Sequence, residues 1–308
     1  MIKKEFPGED KKTRMKAQAA DRRYHFFLAG GDVRGILVHG SRMVQEMKMN
    51  HDLGVLETIV LGQAYLATAL MAAGLKDEGL VQLKVECGGP LQGLSTEGDS
   101  HGTVRGYLVQ NPIPLEKAPA SLDTSPLYGP GFLSVTRYTV KSGKPFTSQV
   151  MLQSGRLGED LAAYYQESEQ IPTVFILSVR LDKQGEVKGA AGLFLQAMPG
   201  SDESVLEQIQ EAAVALPSLG DSVGAETDIV EFLGQSFGDF KPEILSDKRV
   251  EFLCSCNKGR FEDFLRSISS DEKDEILAKG PFPLVTTCFN CNTSYEFSKE
   301  ELMELFQS

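Results

Sequence analysis

Four of the five cysteines in this 308-residue chain stand near its C-terminal end, as Cys254-Ser-Cys256 and, after 31 intervening residues, Cys288-Phe-Asn-Cys291. Two close pairs of soft thiolates suit a tetrahedral zinc ion, which takes sulfur ligands at about 2.3 Å. The four histidines, His25, His39, His51 and His101, all lie far upstream, so the expected site is four-sulfur, with one Zn2+ per chain. The spacing leaves two roles open, an inert structural staple and a redox switch. The C-x-C half favours the second. A disulfide there would close a tight, strained and easily reduced loop, and thiolates are the groups that peroxide attacks.

The residues around the cysteines predict a small module over 251–308. Phe261, Phe264, Leu265 and Ile268 have helical spacing. Ser269 with Glu272, and Ser298 with Glu301, have the spacing of capping boxes that open two further helices. LVTTCFNCNTSYEF reads as two strands joined by a metal-binding turn. A module this short buries too little apolar surface to be robust alone, so its order should depend on the metal.

Upstream, residues 24–200 read as a core domain. Leu80–Cys87, Thr103–Val109, Phe132–Val140 and Thr173–Leu181 are rich in β-branched residues and predict strands, the last turning through DKQGE into VKGAAGLFLQ as a hairpin. Helices are expected over Asp52–Leu75 and Leu157–Gln166. Strands in runs around a buried helix indicate an α+β fold. The most apolar run, Ile59–Gly74, falls short of a membrane span and is rich in Gly and Ala, which suits a central buried helix better.

Residues 201–250 change character. Val205, Leu206, Ile209, Ala212, Ala213 and Leu216 share one helical stripe behind a capping-box spacing at Ser204 and Glu207. Ile229, Phe232, Leu233 and Phe237 are the apolar residues of a second amphipathic segment. The stretch carries 11 acidic and three basic residues, so it is expected to be a helical linker whose apolar stripes are covered in the resting protein.

Charge narrows the function classes. The net charge is −12, and residues 251–308 hold 11 acidic and six basic side chains, which disfavours a zinc ribbon that binds nucleic acid. Residues 1–23 hold eight basic and four acidic residues and no apolar signal stretch, so this charged extension is read as a solvated, frayed tail on a cytoplasmic protein. Gly220-Asp221-Ser222-Val223-Gly224 matches a hydrolase nucleophile elbow, but no histidine follows it and no strand precedes it. CFNC is not placed at a helix start as in a thiol–disulfide oxidoreductase, and no phosphate loop is present. No enzymatic activity is expected. Cys87, at a strand end, reads as a small buried hydrophobe.

In its cysteine pattern the chain resembles the heat-shock protein 33 family of redox-regulated holdase chaperones. The likeness extends through VRG at Val33–Gly35, LGQAYLATALMAAGLK at Leu61–Lys76, GGPLQGLSTEG at Gly88–Gly98, VRGY at Val104–Tyr107, YYQESEQIPT at Tyr164–Thr173 and AMPGSDE at Ala197–Glu203. Asn257, where similar proteins usually carry Ser, and the charged extension depart from the pattern. The resemblance implies a β/α/β-layered core around a buried helix, a helical linker and a C-terminal zinc switch. It implies that oxidation forms the disulfides Cys254–Cys256 and Cys288–Cys291 with loss of zinc, and that the loosened chain dimerises and binds unfolding client proteins without ATP. Val205, Leu206, Ile209, Ile229, Phe232, Leu233 and Phe237 are the expected client contacts. No nucleic-acid or membrane partner is implied.

Overall fold

The computed structural model of the chain describes residues 1–6, 8–10, 13, 21–115 and 121–307. Its architecture is mixed α+β. The elements of the core are β1 (Arg22–Leu28), β2 (Val33–His39), α1 (Ser41–His51), α2 (Val55–Ala73), β3 (Gly79–Cys87), β4 (Gly93–Asp99), β5 (Thr103–Leu108), β6 (Gly131–Thr139), β7 (Phe146–Met151), α3 (Leu157–Tyr164), β8 (Thr173–Leu181) and β9 (Val187–Ala197). Then follow α4 (Glu203–Val214), α5 (Leu219–Ser222), α6 (Ile229–Phe237), β10 (Glu243–Arg249), β11 (Glu251–Phe252), α7 (Lys258–Ser267), α8 (Ser270–Lys279), β12 (Leu284–Thr287), β13 (Ser294–Phe297) and α9 (Lys299–Gln307).

Two larger sheets share one helix. The first runs β10-β1-β2-β9-β8 and the second β11-β5-β4-β3-β6-β7. Helix α2 packs on β3, β4 and β5 of one and on β2, β8 and β9 of the other, and its small residues Gly62, Ala64, Ala67 and Ala69 let both approach. The helix is 19 residues long, longer than the apolar run alone, and by length and composition it could span a bilayer. Burial decides its role: Tyr65, Leu66 and Leu70 are fully enclosed by the core.

Helix α1 and strands β1, β2, β4 and β7 were not expected from local sequence. Strand β2 is apolar on both sides because α2 covers one face of its sheet and α4–α6 the other, so the alternation that marks a half-buried strand is missing. Within 201–250, residues 243–249 form a strand where helical linker was expected. Strand β1 offers a free edge, and β10 pairs with it antiparallel. The capping residue of α4 is Asp202, which accepts from the Ser204 amide at 2.8 Å, in place of the expected Ser204.

Asp21 caps the start of α1, accepting from the amides of Met43 (2.6 Å) and Arg42 (3.2 Å). It is almost fully buried, and burial pushes its carboxyl up to about 7. In the unfolded chain it ionises near pH 3.8. Its contribution is therefore full below that value and is lost as pH rises through 7. Wild type should lose about 2–3 kcal/mol relative to Asp21→Asn between pH 5 and pH 8. Denaturant titrations at both pH values test this, and parallel pH profiles would refute it.

Candidate metal centre

The two cysteine pairs are delivered by different local structures. After β11 the chain turns through Cys254 and Cys256 into α7, whose first turn is capped by the Asn257 side chain accepting from the Arg260 amide. Asn, like Ser, is a favoured N-cap residue, so the departure at Asn257 leaves this helix start capped. The second pair sits in the turn between β12 and β13, which pair antiparallel with Thr287 opposite Ser294. Inside that turn the Asn292 amide donates to the Cys288 carbonyl at 2.7 Å and the Cys288 amide to the Thr293 carbonyl at 2.9 Å. The expected strand–turn–strand is present. So are both C-terminal capping boxes, at Ser269/Glu272 and at Ser298/Glu301.

All four sulfurs lie within 4.8 Å of one another. Cys256 and Cys291 are 3.3 Å apart and Cys254 and Cys288 3.9 Å apart. Sulfurs bound to one zinc at about 2.3 Å would stand about 3.8 Å apart, so the quartet fits one ion. Electrostatics agree. Hydrogen bonds from Cys288 and Cys291 hold the Cys254 thiol far below its ordinary range, with a smaller effect from the Arg105 guanidinium. Cys288, facing that thiolate, is pushed up to about 11, and Cys291 is raised further. A dication held among the sulfurs would favour the ionised form of the thiols that are raised here.

Residues that sequence reasoning did not single out support the quartet. Arg105 reaches Cys254 Sγ at 3.6 Å while paired with Glu97. The Tyr295 hydroxyl donates to the Cys256 carbonyl at 3.1 Å, and the Cys291 sulfur lies 3.3 Å from Thr293 Oγ1. Asn50 Nδ2 donates to the Cys291 carbonyl at 2.9 Å, and Asn292 Nδ2 to the Asn50 carbonyl at 3.0 Å. Only the VRGY segment held a local signal. Its Gly106 has φ +156, its amide donates to the Asn290 carbonyl, and a Cβ there would meet the Ser95 carbonyl at 2.3 Å.

Beyond the Arg105 and Asn50 bonds, the module is joined to the core by backbone pairing and by aromatic contacts, Tyr107 against Phe289 among them. Strand β11 pairs parallel with β5, and Phe252, fully buried, lies against the rings of Tyr65 and His51. A cleft of about 680 Å³ between module and sheet is lined by Cys254, Cys256 and Cys288 among others. Cys288 is the least buried of the four.

The expected client residues are elsewhere. Ile209, Ile229, Leu233 and Phe237 are buried, with Val205, Leu206 and Phe232 partly so, against Phe26, Leu37, Leu193 and Leu195 of the first sheet. The apolar stripes of the linker are thus covered by the core. Ser222 lies in the short α5 with its hydroxyl donating to the Ser218 carbonyl, so the elbow-like motif carries no nucleophile arrangement. Cys87 is partly buried against the core, and burial raises its thiol.

The model of the Hsp33 protein family matches residues 21–298. A 33 kDa chaperonin of Synechococcus elongatus is 34% identical over 93% of this chain and 97% of its own. One of Agathobacter rectalis is 31% identical over 90% and 96% respectively. The crystal structure of the 33 kDa chaperonin (heat shock protein 33 homolog) of Thermotoga maritima superposes with a TM-score of 0.82 at 30% identity, covering 94% of this chain and 98% of that one.

Proposed function

The chain belongs to the Hsp33 family, and from that membership we propose that it is a redox-regulated, ATP-independent holdase chaperone whose switch is the four-cysteine centre. The observation that carries the reading is the convergence of four sulfurs from two segments 31 residues apart into the reach of a single ion. Zinc, held by Cys254, Cys256, Cys288 and Cys291, would supply a crosslink between those segments worth on the order of 10–16 kcal/mol of apparent binding energy.

Peroxide is the oxidant in this reading. In each pair, Cys254–Cys256 and Cys288–Cys291, one thiolate attacks a peroxide oxygen, the O–O bond breaks, and a sulfenic acid forms as hydroxide leaves. Its neighbour then attacks that sulfur, making the S–S bond and expelling hydroxide. Each pair gives up two electrons to one peroxide, and all four ligands are withdrawn together.

Connectivity carries the change to the linker. The module, β11 and β10 are consecutive, with only Val250 between the two strands. Val250 is buried, and its amide donates to the Asp21 carbonyl at 3.1 Å. An unfolded module pulls on β11, then on the exposed edge strand β10, then on α6 to α4. Val205, Leu206, Ile209, Ile229, Phe232, Leu233 and Phe237 then become available to clients, and two opened chains pair as a homodimer. The acidic surface keeps the opened form soluble, and the cytoplasm is the compartment in which such thiols rest reduced. The chain carries out no catalysis in this reading, and its charge disfavours nucleic acid as partner.

Oxidised, zinc-free protein should suppress aggregation of a heat-unfolded client at near-equimolar ratio, and reduced, zinc-loaded protein should not. Light scattering reads both. Equal suppression by the two forms would remove the switch from the reading.

A further inference from the structure

The first residues of the chain are ordered against the switch, contrary to the frayed tail expected of them; residues 7, 11, 12 and 14–20 lie outside the described residues. Main-chain groups do much of the holding. The Ile2 amide donates to Thr293 Oγ1 at 3.1 Å, and the Ile2 carbonyl accepts from Thr293 Oγ1 at 3.2 Å and from Asn50 Nδ2 at 3.0 Å. The Lys4 amide donates to Asn50 Oδ1 at 3.0 Å. Side chains add charge. Lys3, with only 11% of its side chain exposed, pairs with buried Glu46 of α1 and lies 3.8 Å from Glu251 of β11. Lys4 pairs with Asp52. Further along, Arg42 holds Glu9 through two bonds of 2.7 and 2.9 Å and stacks 3.8 Å over the Phe6 ring.

Asn50 is the splice. It is 2% exposed, and its amide bonds the N-terminal segment on one side and the carbonyl of the metal-ligand residue Cys291 on the other. Without the segment, Nδ2 keeps the Cys291 carbonyl but Oδ1 loses the Lys4 amide, leaving a buried acceptor without that bond. Lys3 and Lys4 thus face this chain's own acids.

We propose that the N-terminal segment, through residues 1–6 and Glu9, is an intramolecular clasp that ties the ligand-bearing turn of Cys291 and strand β11 to helix α1, and so sets how readily the switch opens. The clasp lies outside the residues shared with the family model. It crosses the seam between module and core, so opening the module in one step requires breaking it. Ordering a segment of this length opposes its docking through lost chain entropy, which the charged and bidentate contacts must exceed. The clasp therefore adds a threshold. It rests on the proposed function for its biological meaning, but its structural content does not.

Hydrogen exchange on the full-length reduced protein separates the two. Deleting residues 2–9, or making Lys3→Glu with Lys4→Glu, should speed amide exchange in residues 251–257 and 288–296 about tenfold, with exchange in β8 and β9 unchanged. Unchanged exchange in the first two segments in both variants would overturn the clasp. Zinc release to a chromogenic chelator at fixed peroxide should accelerate by a similar factor. A protein that bound no zinc would refute the reading of the cysteine centre while the exchange comparison still decided the clasp.

Discussion

Replacing Cys291 by Ser, or stripping the metal with a chelator under reducing conditions, should unfold residues 254–307 while leaving strands β1–β9 of the two large sheets paired. The module's own core is small: Leu265, Phe297, Leu302 and Leu305 are its buried apolar side chains, with Phe261, Ile268 and Tyr295 packed on them in part. Burying four such side chains stabilises by roughly 6–12 kcal/mol. A crosslink worth on the order of 10–16 kcal/mol is comparable with that whole core or larger, so its loss decides whether the module stays ordered. Limited proteolysis should cut between Lys258 and Lys279 within minutes in the stripped protein and leave a fragment ending near the linker. The Cys256–Cys291 contact at 3.3 Å is fully buried, so the serine variant also loses a ligand that solvent cannot easily replace. If the stripped module kept its amide protection, the cysteine centre would be ornament on a self-sufficient fold, and no switch could be built on it.

The cysteine quartet was legible because C-x-C and C-x-x-C carry their chemistry locally. So were the capping boxes at Ser269 and Ser298, whose partners lie three residues away. What was not legible depends on long-range neighbours. Helix α1 escaped notice because its buried face holds Glu46, Asn50 and His51 beside Met43, Val44 and Met47, so no clean apolar stripe marks it. Glu46 and Asn50 are buried where Arg42 of the same helix, the N-terminal residues and the metal-binding turn meet them. The same partners explain why the basic tail looked unattached from sequence. Strand β10 is largely exposed and polar, EILSDKR, and only the open edge of β1 makes it a strand. Arg105 and Tyr295 support sulfurs far from them in sequence, and no spacing rule could have found them.

Gly189→Val should produce a protein that holds clients while still reduced and zinc-loaded. Strand β9 and helix α5 meet backbone to backbone: a Cβ on Gly189 would stand 1.8 Å from the Gly220 carbonyl oxygen, and one on Gly220 would stand 3.0 Å from the Gly189 carbonyl oxygen. No side chain can swing aside to relieve the first clash, so α5 must lift from the sheet. Overpacking of this kind typically costs about 1–3 kcal/mol, and here the strain is relieved by undocking α4–α6 without altering any of the seven proposed client residues. The sulfurs are likewise untouched, since Gly189 belongs to the first sheet and the cysteine centre docks on the second. The variant should bind one zinc, show linker cleavage several-fold faster than wild type, and suppress client aggregation without peroxide. Gly189→Ser should act in the same direction, because any Cβ meets the same oxygen. If the linker were cleaved faster in both variants and yet the reduced protein held no client, exposure of α4–α6 would not be what confers holding. The client surface would then have to lie on the sheets themselves, uncovered by some other consequence of losing the module.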